Sequence, residues 1–206
     1  MPNRDQRRYW NRYVDASGDW RADPRTTLPL HPPGEDLAAL RAGLGREAGS
    51  VPRMWPFYTC AIDDWRARRG EVSDEQKAEH AALALFGLHQ QSQRTPMHKP
   101  GVNLGQALRA LRQNEKFSEQ AVDARVAAAV TATSVPPLLM RLRGLVTQLR
   151  TIAQPLDYDQ LLDDIDSWHW PDARQRVRRK WGLGYHVWAE PQRSAEAQQN
   201  TQSVGS

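Results

Sequence analysis

At 206 residues the chain is long enough to bury a core, as one domain or as two small ones. A hydrophobic share of 39% with eight Trp, set against a mean hydropathy of -0.74, describes a folded protein with a polar exterior and excludes a wholly disordered one. No apolar run approaches the roughly 18 residues of a membrane span, Cys60 alone excludes an internal disulfide or a thiolate metal cluster, and a formal net charge of +4 conceals strong segregation of sign.

In chain order, a first helix is expected from about Arg4 to Ala16, burying Tyr9, Trp10, Tyr13 and Val14. Its arginines, Arg4, Arg7, Arg8 and Arg12, stand among polar residues with no apolar leader, so neither export nor insertion is signalled and a cytoplasmic home follows. Asp19 to Gly34, with four prolines, reads as a linker or extended loop. Glu35 to Leu44 forms a short helix on Leu37, Leu40 and Leu44. Met54 to Arg68 is expected to contribute Trp55, Phe57, Tyr58, Ile62 and Trp65, and Asp74 to Gln91 a longer helix capped by Ser73. Gln93 to Gly101 then makes an ordered, exposed loop holding Arg94, His98 and Lys99.

The second half is more regular. Asn103 caps a helix on Leu104, Leu108 and Leu111, and Ser118 caps an Ala/Val-rich helix to about Thr133. Pro136 to Ala153 carries Leu138, Leu142, Leu145, Leu149 and Ile152 at spacings of three and four, an amphipathic seam. Asp157 with Gln160 has capping-box character ahead of Leu161, Leu162, Ile165 and Trp168. Pro171 opens a last helix on Val177 and Trp181 that Gly182 and Gly184 are expected to end. The fold class is all-α, two small helical bundles of about eight to nine helices with no sheet. The expected domains are residues 1–115, a bundle with the proline-rich loop 19–34; residues 116–190, a second bundle; and a disordered tail, 191–206.

Signals for catalysis are negative. The histidines at 31, 80, 89, 98, 169 and 186 make no His-x-x-x-His pair, residues 106 and 107 are Gln and Ala where a phosphate loop opening at Gly101 would need Lys and Ser or Thr, and no Gly-x-Ser-x-Gly elbow exists. One acidic cluster remains: Asp157, Asp159, Asp163, Asp164, Asp166 and Asp172. Asp159, Asp163 and Asp166 share a helix face and could converge on a hard cation. The alternative is neutralisation by Arg174, Arg176, Arg178, Arg179 and Lys180 of the next helix. A hydrolase built on this cluster would require metal-dependent turnover lost in Asp163→Ala. No metal or other cofactor is expected.

No acid lies between His80 and Asn114, between Ala124 and Leu156, or between Ala173 and Ala189, yet these spans hold 13 of the 28 Lys and Arg. Segregated positive charge suits a phosphate backbone. Arg143 and Arg150, seven apart, follow one edge of the Leu seam, with Arg141 on the other. Arg109 and Arg112 project from one face of their helix, and Arg94 and Lys99 lie in the loop before it. The alternative is that arginines flanking an apolar seam only cover it with their stems.

The run "VNLGQALRAL", then the Ala/Val helix, then "PPLLMRLRGLVTQLRTIAQPLDYDQLLDDIDSWHWP" and "RQRVRRKW", resembles the small-subunit family CasB of the type I-E CRISPR surveillance complex, Cascade. The likeness covers about Ala81 to Trp188; the first 80 residues match more loosely, through a Trp/Tyr-bearing start and "LAALRAGLG". The resemblance implies an all-helical, non-enzymatic protein present as two copies, beside other Cascade subunits, the guide RNA and the target DNA, steadying the hybrid and holding the displaced strand. Sequence being read there by base pairing, the protein needs only backbone contacts. By position the role falls on Arg94, Lys99, Arg109, Arg112, Arg125, Arg141, Arg143 and Arg150; Gln106 stands where some relatives carry a basic residue. The rival reading is a helical protein-protein interaction module whose basic faces meet acidic surfaces.

Overall fold

Four side chains start helices where the sequence places them. Ser73 accepts from the Gln76 N–H at 3.1 Å while Gln76 accepts from the Ser73 N–H at 3.0 Å, and Asn103 and Gln106 repeat the reciprocal pair at 3.0 and 2.9 Å. Ser118 accepts from the Ala121 N–H, and Asp157 from those of Asp159 and Gln160. Each such cap stabilises its helix by about 1 kcal/mol.

The computed structural model describes residues 7–186. Its elements are α1 (Gly34–Arg41), α2 (Asp64–Ala67), α3 (Asp74–Gln90), α4 (Leu104–Arg112), α5 (Glu119–Val130), α6 (Val135–Thr151), α7 (Tyr158–Ser167) and α8 (Pro171–Tyr185), with 3-10 turns at Tyr9–Arg12 and Pro52–Phe57. Strand pairing among the described residues is limited to isolated bridges, so the chain is all-α. None of the described helices is long and apolar enough to cross a membrane.

Helix α3 is the axis of the molecule. It is buried from Ala78 to Gly87, as its lack of a polar stripe requires, and packs on α1 on one side and on α6 and α7 on the other. Helix α4 precedes residue 115 and α5 follows it, yet they pack together and both with α6, so one hydrophobic core runs from Tyr9 to Tyr185. The expected tail, 191–206, lies outside the described residues.

Three expectations are corrected. Tyr9, Trp10 and Val14 are buried, but the described part of the first helix is a single 3-10 turn. The chain folds back instead: the Arg21 N–H donates to the Tyr13 carbonyl and the Leu30 N–H to that of Arg21, both at 2.7 Å, making the 19–34 stretch an extended loop laid against the start of the chain. Trp55, Ile62 and Trp65 are 59, 67 and 63% exposed. Pro52 and Pro56 confine their segment to a 3-10 turn, and buried Glu79 pins its exit by accepting from the Thr59 and Cys60 N–H groups. Burial, then Glu79, pushes the Cys60 thiol up, so it stays protonated. Finally, Gly182 and Gly184 do not stop α8, which continues to Tyr185. A Cβ on Gly184 would stand 2.5 Å from Asn103 Oδ1 and 2.9 Å from the Gln106 nitrogen, so this glycine serves close approach of α8 to the start of α4.

Three buried histidines set the response to acid. His80 donates from Nε2 to the Gly43 carbonyl and accepts at Nδ1 from the Tyr58 hydroxyl. His98 accepts at Nδ1 from the Tyr158 N–H, and His89 faces the Tyr158 hydroxyl. Burial lowers all three pKa values, that of His89 to about 3. The unfolded chain therefore takes up protons near pH 6.5 that the folded chain refuses, and stability present above pH 6.5 is lost as pH falls below it. Each histidine contributes a slope of up to about 1.4 kcal/mol per pH unit. The urea midpoint is expected to fall between pH 7.5 and 5.0, above the carboxylate range; equal midpoints would contradict this account.

Candidate nucleic-acid interface

Helices α5 and α6 form an antiparallel hairpin joined by residues 131–134. Val135, Leu138, Leu142, Leu145, Val146 and Leu149 turn inward on α6, as do Val122, Val126 and Ala129 on α5. The same periodicity turns Met140, Arg141, Arg143 and Gly144 of α6 and Arg125 of α5 to solvent. Arg125 stands five residues before the end of α5 and Arg141 six after the start of α6, so the turn brings them to similar height. Among the described residues no carboxylate lies in ion-pair range of Arg125, Arg141 or Arg143.

The acids of α5 face the other way. Glu119 and Asp123 meet Arg112 of α4 at 2.8 and 2.9 Å, and Asp123 also accepts from the Tyr185 hydroxyl of α8. The Tyr185 hydroxyl and then the Arg112 guanidinium hold the Asp123 carboxyl below its ordinary value. Arg112 is thus a strut between α4 and α5. Arg150 is likewise occupied, donating to the Leu88 carbonyl at 3.3 Å and to Gln91 at 3.1 Å where α3 ends. Arg109 is half-buried on α4. Arg94 and Lys99 are exposed on a loop whose backbone is fixed by Lys99 N–H to Leu156 carbonyl and by Trp20 Nε1 to Arg94 carbonyl bonds, both 2.9 Å. The structure therefore leaves Arg125, Arg141 and Arg143 exposed on the α5–α6 hairpin, Arg141 and Arg143 on either side of inward-facing Leu142, keeps Arg94 and Lys99 exposed elsewhere, and engages Arg112 and Arg150 internally.

Helix α8 carries residues that the sequence reading assigned differently. Among the described residues, Lys180 is the one basic residue of α8 that meets an aspartate, Asp164, which also accepts from Trp181 Nε1. Burial raises the Asp164 carboxyl despite these bonds. Arg174 donates to the Trp168 and Thr133 carbonyls, and Arg178 to the Ala132 carbonyl at 2.9 Å while lying over the Trp168 ring. Ala132 and Thr133 follow the C-terminus of α5 and Trp168 caps that of α7, helix ends where unpaired carbonyls attract cations, a signal readable from the helix ends themselves. Arg176 and Arg179 are exposed and were missed as candidates. Trp168 and Trp181 stack in the core and Trp170 is exposed.

The acidic cluster is built around N–H donors. Asp159 accepts from Arg8 Nη1, Trp10 Nε1 and Asn11 Nδ2 at 3.1, 3.0 and 2.9 Å, and Arg8 also reaches Asp163 at 3.7 Å. His98, Asp157 and Asp159 could bring three ligand atoms within 4.8 Å of one another, but Asp157 already accepts from the N–H groups of Gly101, Asp159 and Gln160. A divalent cation there would face the Arg8 guanidinium and displace several hydrogen bonds.

The model of the family described as CRISPR-associated protein Cse2 matches residues 36–186. The chain belongs to the Cse2 (CasB) family of type I-E Cascade. Its fold resembles the crystal structure of CasB from Thermobifida fusca, with 32% identity over 74% of this chain and 84% of that one and a TM-score of 0.57. It also resembles a Cse2-family CRISPR-associated protein from Thermus thermophilus, with 25% identity over 73% and 85% and a TM-score of 0.55. Among curated protein sequences no relative matches. Cse2 membership makes the chain a structural subunit type that works beside other subunits of a CRISPR complex.

Proposed function

We propose that this Cse2-family chain is a non-catalytic strand-holding subunit that stabilises the R-loop through sequence-independent contacts to displaced DNA and the guide-target hybrid. The observation that carries this reading is the set of exposed arginines Arg125, Arg141 and Arg143 on a hairpin whose acids, Glu119 and Asp123, are engaged by Arg112 of α4. Guanidinium groups presented without competing carboxylates bind phosphates electrostatically, and pairing by the guide supplies sequence. Arg94 and Lys99 supply a second exposed basic point.

In the reconstituted complex, the Arg125→Gln/Arg141→Gln/Arg143→Gln triple is expected to assemble normally and to release its R-loop roughly tenfold faster near 0.15 M salt. An unchanged lifetime would overturn the reading. Met140, 70% exposed beside these arginines, favours a second one, a protein-interaction face. In that case the triple would lose a neighbouring subunit rather than DNA.

A further inference from the structure

The segment before the family-matched residues folds into a basic pocket of its own. Arg7, Arg12 and Arg21, with Asp15, Ala22, Pro24 and Leu30, line a surface pocket of about 420 Å³. Resting on the strand-holding function above, we propose that it binds a phosphate of single-stranded nucleic acid, with an adjoining sugar or base against Pro24 and Leu30.

Two of the arginines are already aimed. Arg21 Nε donates to the Asn11 carbonyl at 3.0 Å and Arg12 Nε to the Arg7 carbonyl at 3.4 Å. Holding a guanidinium through Nε fixes its plane and leaves both Nη groups, the fork that matches a phosphate. Among the described residues no carboxylate pairs with Arg7, Arg12 or Arg21 within 4.0 Å. Asp15 is turned to its own loop, accepting from the Ser17 and Asp19 N–H groups at 2.9 and 3.1 Å. Three cations against this one anion leave the pocket positive. Its size falls within the range of small-ligand sites.

The surrounding structure leads toward the basic loop named above. A Cβ on Gly18 would stand 2.8 Å from Lys99 Cγ, and the Trp20 indole donates to the Arg94 carbonyl. Residues 18 and 20, which lie between the pocket residues Asp15 and Arg21, thus rest against the loop that carries Arg94 and Lys99. All of the pocket residues precede residue 36, so the pocket belongs to this chain's own N-terminal arm and not to the segment matched by the family.

The test follows the arginine Nε–H resonances by NMR, assigned with Arg12→Lys and Arg21→Lys, while the full chain is titrated with the tetranucleotide dT4 and, separately, with pyrophosphate. The Arg12 and Arg21 signals are expected to shift saturably with both, and Arg12→Gln/Arg21→Gln to weaken binding of a longer single strand about tenfold. Shifts with pyrophosphate alone would overturn the nucleic-acid assignment, and shifts with neither would overturn the pocket. A pocket double that binds the strand as wild type does, while the Arg125/Arg141/Arg143 triple does not, would reject this inference and leave the strand-holding function standing.

Discussion

Gly105→Ala is expected to destabilise the fold by about 3–5 kcal/mol and to lower Tm by roughly 10 °C or more. A Cβ on this residue would stand 2.1 Å from the Trp181 carbonyl oxygen and 2.9 Å from the Trp181 Cα. Both are backbone atoms, so no rotamer change relieves the clash and α4 must move away from α8. That contact holds Leu104, Leu108, Val177 and Trp181 in the core. Gly144→Ala is the matched control. Its Cβ meets nothing within 4 Å in the interior of α6, and helix propensity alone predicts a gain of about 0.5–1 kcal/mol. Thermal denaturation of both variants separates close packing from any general intolerance to substitution.

Asp159→Ala should cost about 2–4 kcal/mol, because one carboxylate of α7 anchors the whole N-terminal arm. Its oxygens accept from Arg8, Trp10 and Asn11, and Trp10 is fully buried. Removing the acceptor leaves the indole N–H unsatisfied in the core and Arg8 with only the longer contact to Asp163. Urea denaturation measures the loss, and limited proteolysis should show new cleavage between residues 7 and 34. Asp159→Asn keeps an amide oxygen for part of the set and is expected to fall between the variant and the wild type. A proteolysis pattern unchanged in Asp159→Ala would show that the arm is held by Tyr9 and Val14 packing instead.

Local chemistry made much of this architecture legible. Ser73, Asn103, Ser118 and Asp157 cap helices because each side chain finds its N–H donor within three residues. The Leu seam of α6 is equally local, and it correctly turns Arg141 and Arg143 outward. What the sequence hides is set by partners far along the chain. Gly182 and Gly184 suggest a helix end, but α8 runs through both, and Gly184 is needed within it because α4 approaches closely there, whereas a Cβ on Gly182 would meet nothing within 4 Å. Arg150 looks like its neighbour Arg143, but the Leu88 carbonyl that engages it lies 62 residues away. Arg112 is a different case: Asp123, eleven residues on, was close enough to suggest pairing across the α4–α5 turn. The arginine pocket was hidden for the same reason as Arg150, since Arg21 approaches Arg12 only because the extended loop folds back on Tyr13.

The most direct test is fluorescence anisotropy of a labelled, mixed-sequence single strand with the purified chain across a salt series, comparing wild type with the Arg125→Gln/Arg141→Gln/Arg143→Gln triple. Strand holding by the α5–α6 face predicts steep loss of wild-type affinity with salt, and a triple that binds weakly with its log–log slope reduced by about 2. Wild-type and triple curves that coincide in affinity and slope would contradict it.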